Sequence, residues 1–136
     1  MNITLRAGDR LYLNGAVIQV DRRVSIALVN RAKFLLGSQV LPSVEATTPL
    51  RRVYFAAQAM LIAPDSTQAT SPLARDLIRE AIETFDDPLL LSGLKRVDEM
   101  AERGRFHDAL KGLRALFERE REILAARVGT AASNAR

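Results

Sequence analysis

The sequence predicts an α+β fold: a small antiparallel β meander, curling into a sandwich or open barrel, followed by a four-helix C-terminal half. Three observations predict it. Short runs of alternating apolar and polar residues fill the chain up to about Pro42. Beyond Thr47 the apolar residues recur at helical spacing instead. A capping residue followed by proline also occurs three times in that second region, at Thr48-Pro49, Ser71-Pro72 and Asp87-Pro88. With 136 residues the chain has room for one domain with a real core. The expected organisation is a β-rich basic module over residues 1–45, a helical part over 46–126 that packs on it as one cooperative unit, and a disordered tail over 127–136.

The strands are taken in order as ITLR, RLYL, AVIQV, VSIALV and a brief FLL or QVL piece. Ala7-Gly8-Asp9 separates the first two. Asn14-Gly15 is a strong hairpin signal, because both positions tolerate the positive φ of a type I′ turn. Asp21-Arg22-Arg23 is a third, polar break. Strands this short, with so few residues between them, pair antiparallel, since a parallel crossover needs a dozen residues or more. Within RLYLNG, alternation puts Leu11 and Leu13 on one face and Arg10, Tyr12 and Asn14 on the other.

The first helix is expected from Pro49 to Ile62, with Leu50, Val53, Tyr54, Ala57, Met60 and Leu61 on its apolar face. Ala63 to Ser71 has loop composition, so the second helix is expected to begin at Ser71-Pro72 and to bury Leu73, Leu77, Ile78, Ala81, Ile82 and Phe85. The third follows Asp87-Pro88 and stops at Gly104. The fourth runs from about Phe106 to Ala126, and its consecutive charges from Glu118 to Glu122 read as a solvated face.

Charge is unevenly placed. Through Pro64 there are eight basic and three acidic residues, and beyond it twelve basic and thirteen acidic; arginine outnumbers lysine 17 to 3. Guanidinium suits bidentate phosphate contacts and stacking on bases, so a polyanion would meet the front half. Arg10 beside Tyr12 on an exposed sheet face is the pairing that single-stranded RNA binders use. The alternative is that Tyr12 packs at a sheet edge or against the helices. Arg51 and Arg52 open the first helix at the end where the dipole disfavours cations, which suggests either a functional role or a glutamate or aspartate partner from the loop.

Catalytic and metal chemistry find little support. The chain has no cysteine and a single histidine, His107, with no cluster at metal-ligand spacing. Phosphate loops, dinucleotide fingerprints and nucleophile elbows are all missing, so neither enzymatic activity nor a cofactor is expected. The N-terminus lacks the apolar stretch of a secretory signal and no run reaches the length of a membrane span, so the cytoplasm is the expected compartment and no membrane partner is expected.

Two stretches, GDRLYLNGAVIQVDRRVSIALVN from Gly8 to Asn30 and ATTPLRRVYFAAQAMLIAP from Ala46 to Pro64, resemble the FlbT proteins, flagellar-biosynthesis repressors of flagellated alphaproteobacteria. The resemblance continues more loosely to about Ala125. It implies a post-transcriptional regulator that associates with the 5′ untranslated region of flagellin mRNA, opposed by a small helical protein, FlaF; the sign of regulation stays open. ITLRAGDRLYL also resembles the opening of the carbon-storage-regulator proteins, which bind leader RNA, although those lack the helical half seen here.

Two functions follow. In the first, the basic half binds the flagellin mRNA leader: Arg6, Arg10, Arg22, Arg23, Arg31 and Lys33 contact phosphates, Tyr12 stacks, Asn14 contributes from the turn, and Arg51 and Arg52 extend the surface. No DNA target is expected, and an oligomer is left open. In the second, the chain is an adaptor or chaperone-like module that binds flagellin or another flagellar protein through Ile78, Ile82, Phe85, Leu113 and Phe117, with any effect on mRNA indirect.

Overall fold

The computed structural model describes residues 1–63 and 67–134. Five short strands, β1 (Asn2–Leu5), β2 (Arg10–Leu13), β3 (Ala16–Gln19), β4 (Val24–Ala27) and β5 (Phe34–Leu36), precede four helices, α1 (Pro49–Ile62), α2 (Thr67–Thr84), α3 (Pro88–Glu102) and α4 (Phe106–Asn134). The class is α+β, as the sequence predicts.

All pairings are antiparallel, but they are not those of a simple meander. β1 pairs with β4, Ile3 opposite Ile26, while β2 lies between β3 and β5 in a second sheet. Only β2 and β3 form a hairpin, turning at Asn14 (φ 49°) and Gly15 (φ 85°), both in the left-handed region that a type I′ turn requires. The two sheets share a small core of Ile3, Leu5, Leu11 and Phe34. Residues of the opposite parity on the middle sheet look the other way: Tyr12 and its cross-strand partner Leu35 pack against the helical core. The result is three layers, β1 and β4, then β3, β2 and β5, then the helices.

Two sequence signals fix the starts of α1 and α3. Thr48 accepts the N–H of Arg51 at 3.2 Å ahead of Pro49, and Asp87 Oδ2 accepts the N–H of Leu90 at 3.0 Å ahead of Pro88. α3 ends in a Schellman motif: Gly104 (φ 73°) donates its N–H to the Ala101 carbonyl at 3.0 Å, and Arg105 donates to that of Met100 at 2.8 Å.

Two helix limits differ from expectation. α2 begins at Thr67, so Ser71 is not a cap and Pro72 lies inside the helix. Pro72 forgoes the ladder bond to the carbonyl of residue 68 and crowds that carbonyl, a local cost that the helix carries one turn from its start. Residues 64–66 of the expected connector lie outside the described residues. α4 continues past Ala126 to Asn134, through most of the segment expected to be a disordered tail; its alanines and Arg127 are good helix formers. Residues 135 and 136 lie outside the described residues.

The main core joins α1, α2, α3 and α4 with Leu35 of the sheet. Polar side chains lock the segment between β5 and α1 onto α1. Buried Gln58 accepts the N–H of Leu41 and donates to its carbonyl, both at 2.8 Å, so one amide satisfies a backbone stretch that has no strand partner. Tyr54 donates its hydroxyl to the Gln39 carbonyl and accepts from Arg114 of α4 at 2.8 Å.

Candidate nucleic-acid interface

Strand direction decides where the front-half cations go. β1 and β3 run toward one end of the sandwich, and β2 and β4 leave from it. The turns at that end are residues 6–9 and 20–23, joined by Gly8 donating to the Val20 carbonyl at 2.7 Å and Val20 donating to that of Asp9 at 3.2 Å. Arg6, Arg10, Arg22 and Arg23 therefore gather around one pair of turns, with Asp9 and Asp21 among them. All four arginines are exposed. Arg22 forms an exposed ion pair with Asp21 at 3.3 Å, an interaction too solvated to hold it. The side chains of Arg6, Arg10 and Arg23 have no ion pair or hydrogen bond among the described residues.

Arg31 and Lys33 are exposed at the opposite end, in the loop between β4 and β5. Four-residue strands separate the two groups by about 13 Å, at ~3.3 Å per residue. The structure thus brings the expected phosphate contacts together as two clusters, not one. Asn14 lies at the second end, but its side chain is spent on structure: Oδ1 accepts the N–H of Lys33 at 3.0 Å, and its own N–H donates to the Lys33 carbonyl at 2.8 Å, extending the pairing of β2 with β5.

Tyr12 is half-buried, packed on the helical core on one side and lining the same groove as Arg10. Its face is covered by the helices over β2 and β5, where Leu35 is buried, but stays open over β3, where its cross-strand neighbour Val17 is exposed. Arg10 stays at the surface because its neighbours belong to the turn-end groove that also includes Gly8, Asp9 and Gly37.

Arg51 and Arg52 part company. Arg52 is exposed, while the Arg51 guanidinium lies 5.4 Å above the Phe117 ring of α4. The acid at this helix N-terminus comes from α4 and not from the loop before α1. Glu120, only 1% exposed, accepts the N–H of Leu50 at 2.8 Å. A carboxylate here offsets the helix dipole and satisfies a terminal N–H. Burial pushes Glu120 above the usual carboxylate range, with Thr48, the Leu50 N–H and Arg51 opposing. The run from Glu118 to Glu122 is therefore not wholly a solvated face; nothing in its spacing singles out Glu120, because the partner lies 70 residues away.

The expected partner-binding residues do not form a docking face. Ile78, Phe85 and Leu113 are buried in the main core, and Ile82 and Phe117 are half-buried against it. Their periodicity signals helix packing, since amphipathic helices in a domain this small cover one another first.

A third feature escapes sequence reasoning. The loop carrying Arg31 and Lys33 forms a groove with the turn between α3 and α4, which brings up Arg105 and His107. The His107 ring lies 4.7 Å from that of Phe34, centroid to centroid, tilted by 38°. Burial first, then Arg114 and Lys111, hold its pKa below the ordinary histidine value against the opposing effect of Asp108. Among the described residues no three histidine, cysteine or acidic side chains are grouped to hold a metal ion, and no helix is long and apolar enough to cross a membrane.

The family model described as "Flagellar protein FlbT" matches residues 1–124. Similar proteins include the "Probable flagellum biosynthesis repressor protein FlbT" of Chelativorans sp. (strain BNC1), 45% identical over 124 residues, which cover 91% of this chain and 86% of that one. The protein of the same name from Brucella ovis is 44% identical over 126 residues, covering 93% and 83%. That of Brucella anthropi is 44% identical over 124 residues, covering 91% and 82%. No solved structure matches. With a match this long, running through both turn ends of the sandwich and nearly all of the helical half, the chain belongs to the FlbT family of flagellar proteins.

Proposed function

We propose that this protein regulates flagellum biosynthesis after transcription, in the cytoplasm, by binding the 5′ untranslated region of flagellin mRNA. The relatives' name as repressors of flagellum biosynthesis supports the regulatory role. The observation that carries RNA binding is the convergence of Arg6, Arg10, Arg22 and Arg23 on one pair of turns, three of them without a partner among the described residues. The paired strands fix where these side chains leave the backbone, and guanidinium groups match phosphate oxygens in a bidentate fork. The helical half is then left for a protein partner, either flagellin or a FlaF-type regulator.

The test is a salt titration of binding to the host's flagellin leader, beside an unrelated leader and an Arg22→Ala/Arg23→Ala variant. Each phosphate contact to a single strand adds ~0.7 to the slope of log affinity against log salt. The double variant is expected to flatten that slope by about 1.4 if both side chains contact phosphate, and to weaken all RNAs alike. Salt-insensitive binding, or none at physiological salt, would move the function to a protein partner, with flagellin tested next.

A further inference from the structure

We propose that the groove between the loop of residues 28–33 and the α3–α4 turn is a phosphate-binding site, in which Arg31 and Lys33 hold a phosphate group beside the ring pair of Phe34 and His107. The inference deepens the RNA reading and rests on it for one of its two phosphate sources: a nucleotide within a bound RNA strand, or a free nucleotide.

Both cationic side chains line this groove, both are exposed, and neither has a partner among the described residues. Two unneutralised cations separated by one residue would be unremarkable on a mobile loop. Here the loop is pinned where it matters, because the Lys33 backbone is bonded on both its N–H and its carbonyl to Asn14. The bonded backbone fixes where the Lys33 side chain leaves the loop, and the planar fork of Arg31, two residues before it, matches phosphate oxygens.

The opposite wall differs in character. Arg105 is already committed to Asp108, with Nη2 at 2.7 Å and Nε at 2.9 Å from its carboxylate, so it adds little free charge. His107 has its Nε2 shut off from solvent with no hydrogen-bond partner, and its ring rests on Phe34. That nitrogen is closed to the groove as well, but the residue is half-buried, so the ring lies close enough to report on a ligand held by Arg31 and Lys33. A phosphate on Arg31 and Lys33 would lie beside the half-buried His107 ring, which rests on the core residue Phe34. That combination suits a nucleotide, which joins an anion to a flat apolar base.

The protein has one histidine, so the His107 ring resonances in a proton NMR spectrum report on this groove alone. The intact protein is titrated with adenosine monophosphate, inorganic phosphate, adenosine and a short single-stranded RNA from the leader. RNA binding is followed separately by fluorescence anisotropy of a labelled strand. Adenosine monophosphate is expected to shift the His107 resonances saturably and adenosine is not. Arg31→Ala/Lys33→Ala, two surface changes that leave the backbone bonds in place, is expected to weaken the monophosphate response about tenfold or more.

RNA that binds and moves His107 makes the strand the source. RNA that binds without moving it, while the monophosphate does move it, makes a free nucleotide the source; both results support the site. A monophosphate response with no RNA binding keeps the groove and overturns the RNA reading. If RNA binds but neither ligand moves His107, the groove is overturned and the RNA reading stands. Equal shifts from adenosine and its monophosphate, or a monophosphate response untouched by the double variant, also overturn the phosphate site.

Discussion

Phe85→Ala is expected to destabilise the protein by about 3–5 kcal/mol, the range for truncating a buried phenylalanine. Phe85 closes α2, is only 3% exposed, and belongs to the cluster that unites all four helices. The Arg127 guanidinium lies 5.2 Å above its ring, so the same side chain also anchors the distal part of α4. A domain of this size holds roughly 5–15 kcal/mol in total, so the loss takes a large share of the margin. Urea unfolding followed by far-ultraviolet circular dichroism measures it. As a docking residue, Phe85 would instead lose a partner and leave the urea midpoint where it was. A midpoint within error of the parent's would therefore remove Phe85 from the core and restore the adaptor reading of α2.

Glu120 is expected to separate two roles that one carboxylate combines. Glu120→Ala strips the Leu50 N–H of its buried acceptor and should cost about 1–3 kcal/mol at neutral pH. Glu120→Gln keeps an oxygen for that N–H and removes the buried charge, so it should equal or exceed the parent. The sign follows from linkage. Burial raises the carboxyl pKa in the fold, so the protonated form is the one the fold favours. Its stabilising contribution is complete below the unfolded pKa, near 4.5, and is lost as pH rises through the higher folded value. The advantage of Gln over Glu should therefore grow with pH above about 4.5.

Other groups do not blur this comparison. Asp87 titrates in the opposite sense, because the Arg119 guanidinium holds it below the ordinary range, and it is the same in both proteins. Thermal melts of the three proteins from about pH 4 upward, the window that linkage selects, provide the measurement. An alanine variant as stable as the parent would show that Glu120 caps nothing, and a Gln advantage that shrinks with rising pH would reverse the assigned shift.

Both predictions mark where local pattern stops being informative. The strands, the Asn14-Gly15 turn, the caps at Thr48 and Asp87 and the stop at Gly104 were legible because each is a short-range device: a few adjacent residues set the backbone angles or satisfy a nearby N–H. The start of α2 was misleading for the same reason. Ser71-Pro72 is a good cap in isolation, but a helix already under way carries the local cost of the proline one turn from its start.

The candidate site divides along the same line. By itself the sequence determined the α+β class, the apolar faces, the excess of arginine in the front half and the family, because composition, periodicity and motif are carried by neighbouring residues. Tertiary structure alone decided which residues meet. It placed Arg6, Arg10, Arg22 and Arg23 at one end of the sandwich and Arg31 and Lys33 at the other, turned Tyr12 toward the helices, brought Glu120 to the start of α1, and set His107 against Phe34. Those encounters depend on strand order and on helices that cover β2 and β5 while leaving β3 open at Val17. Side-chain alternation says which residues share a face, but only packing says what covers it.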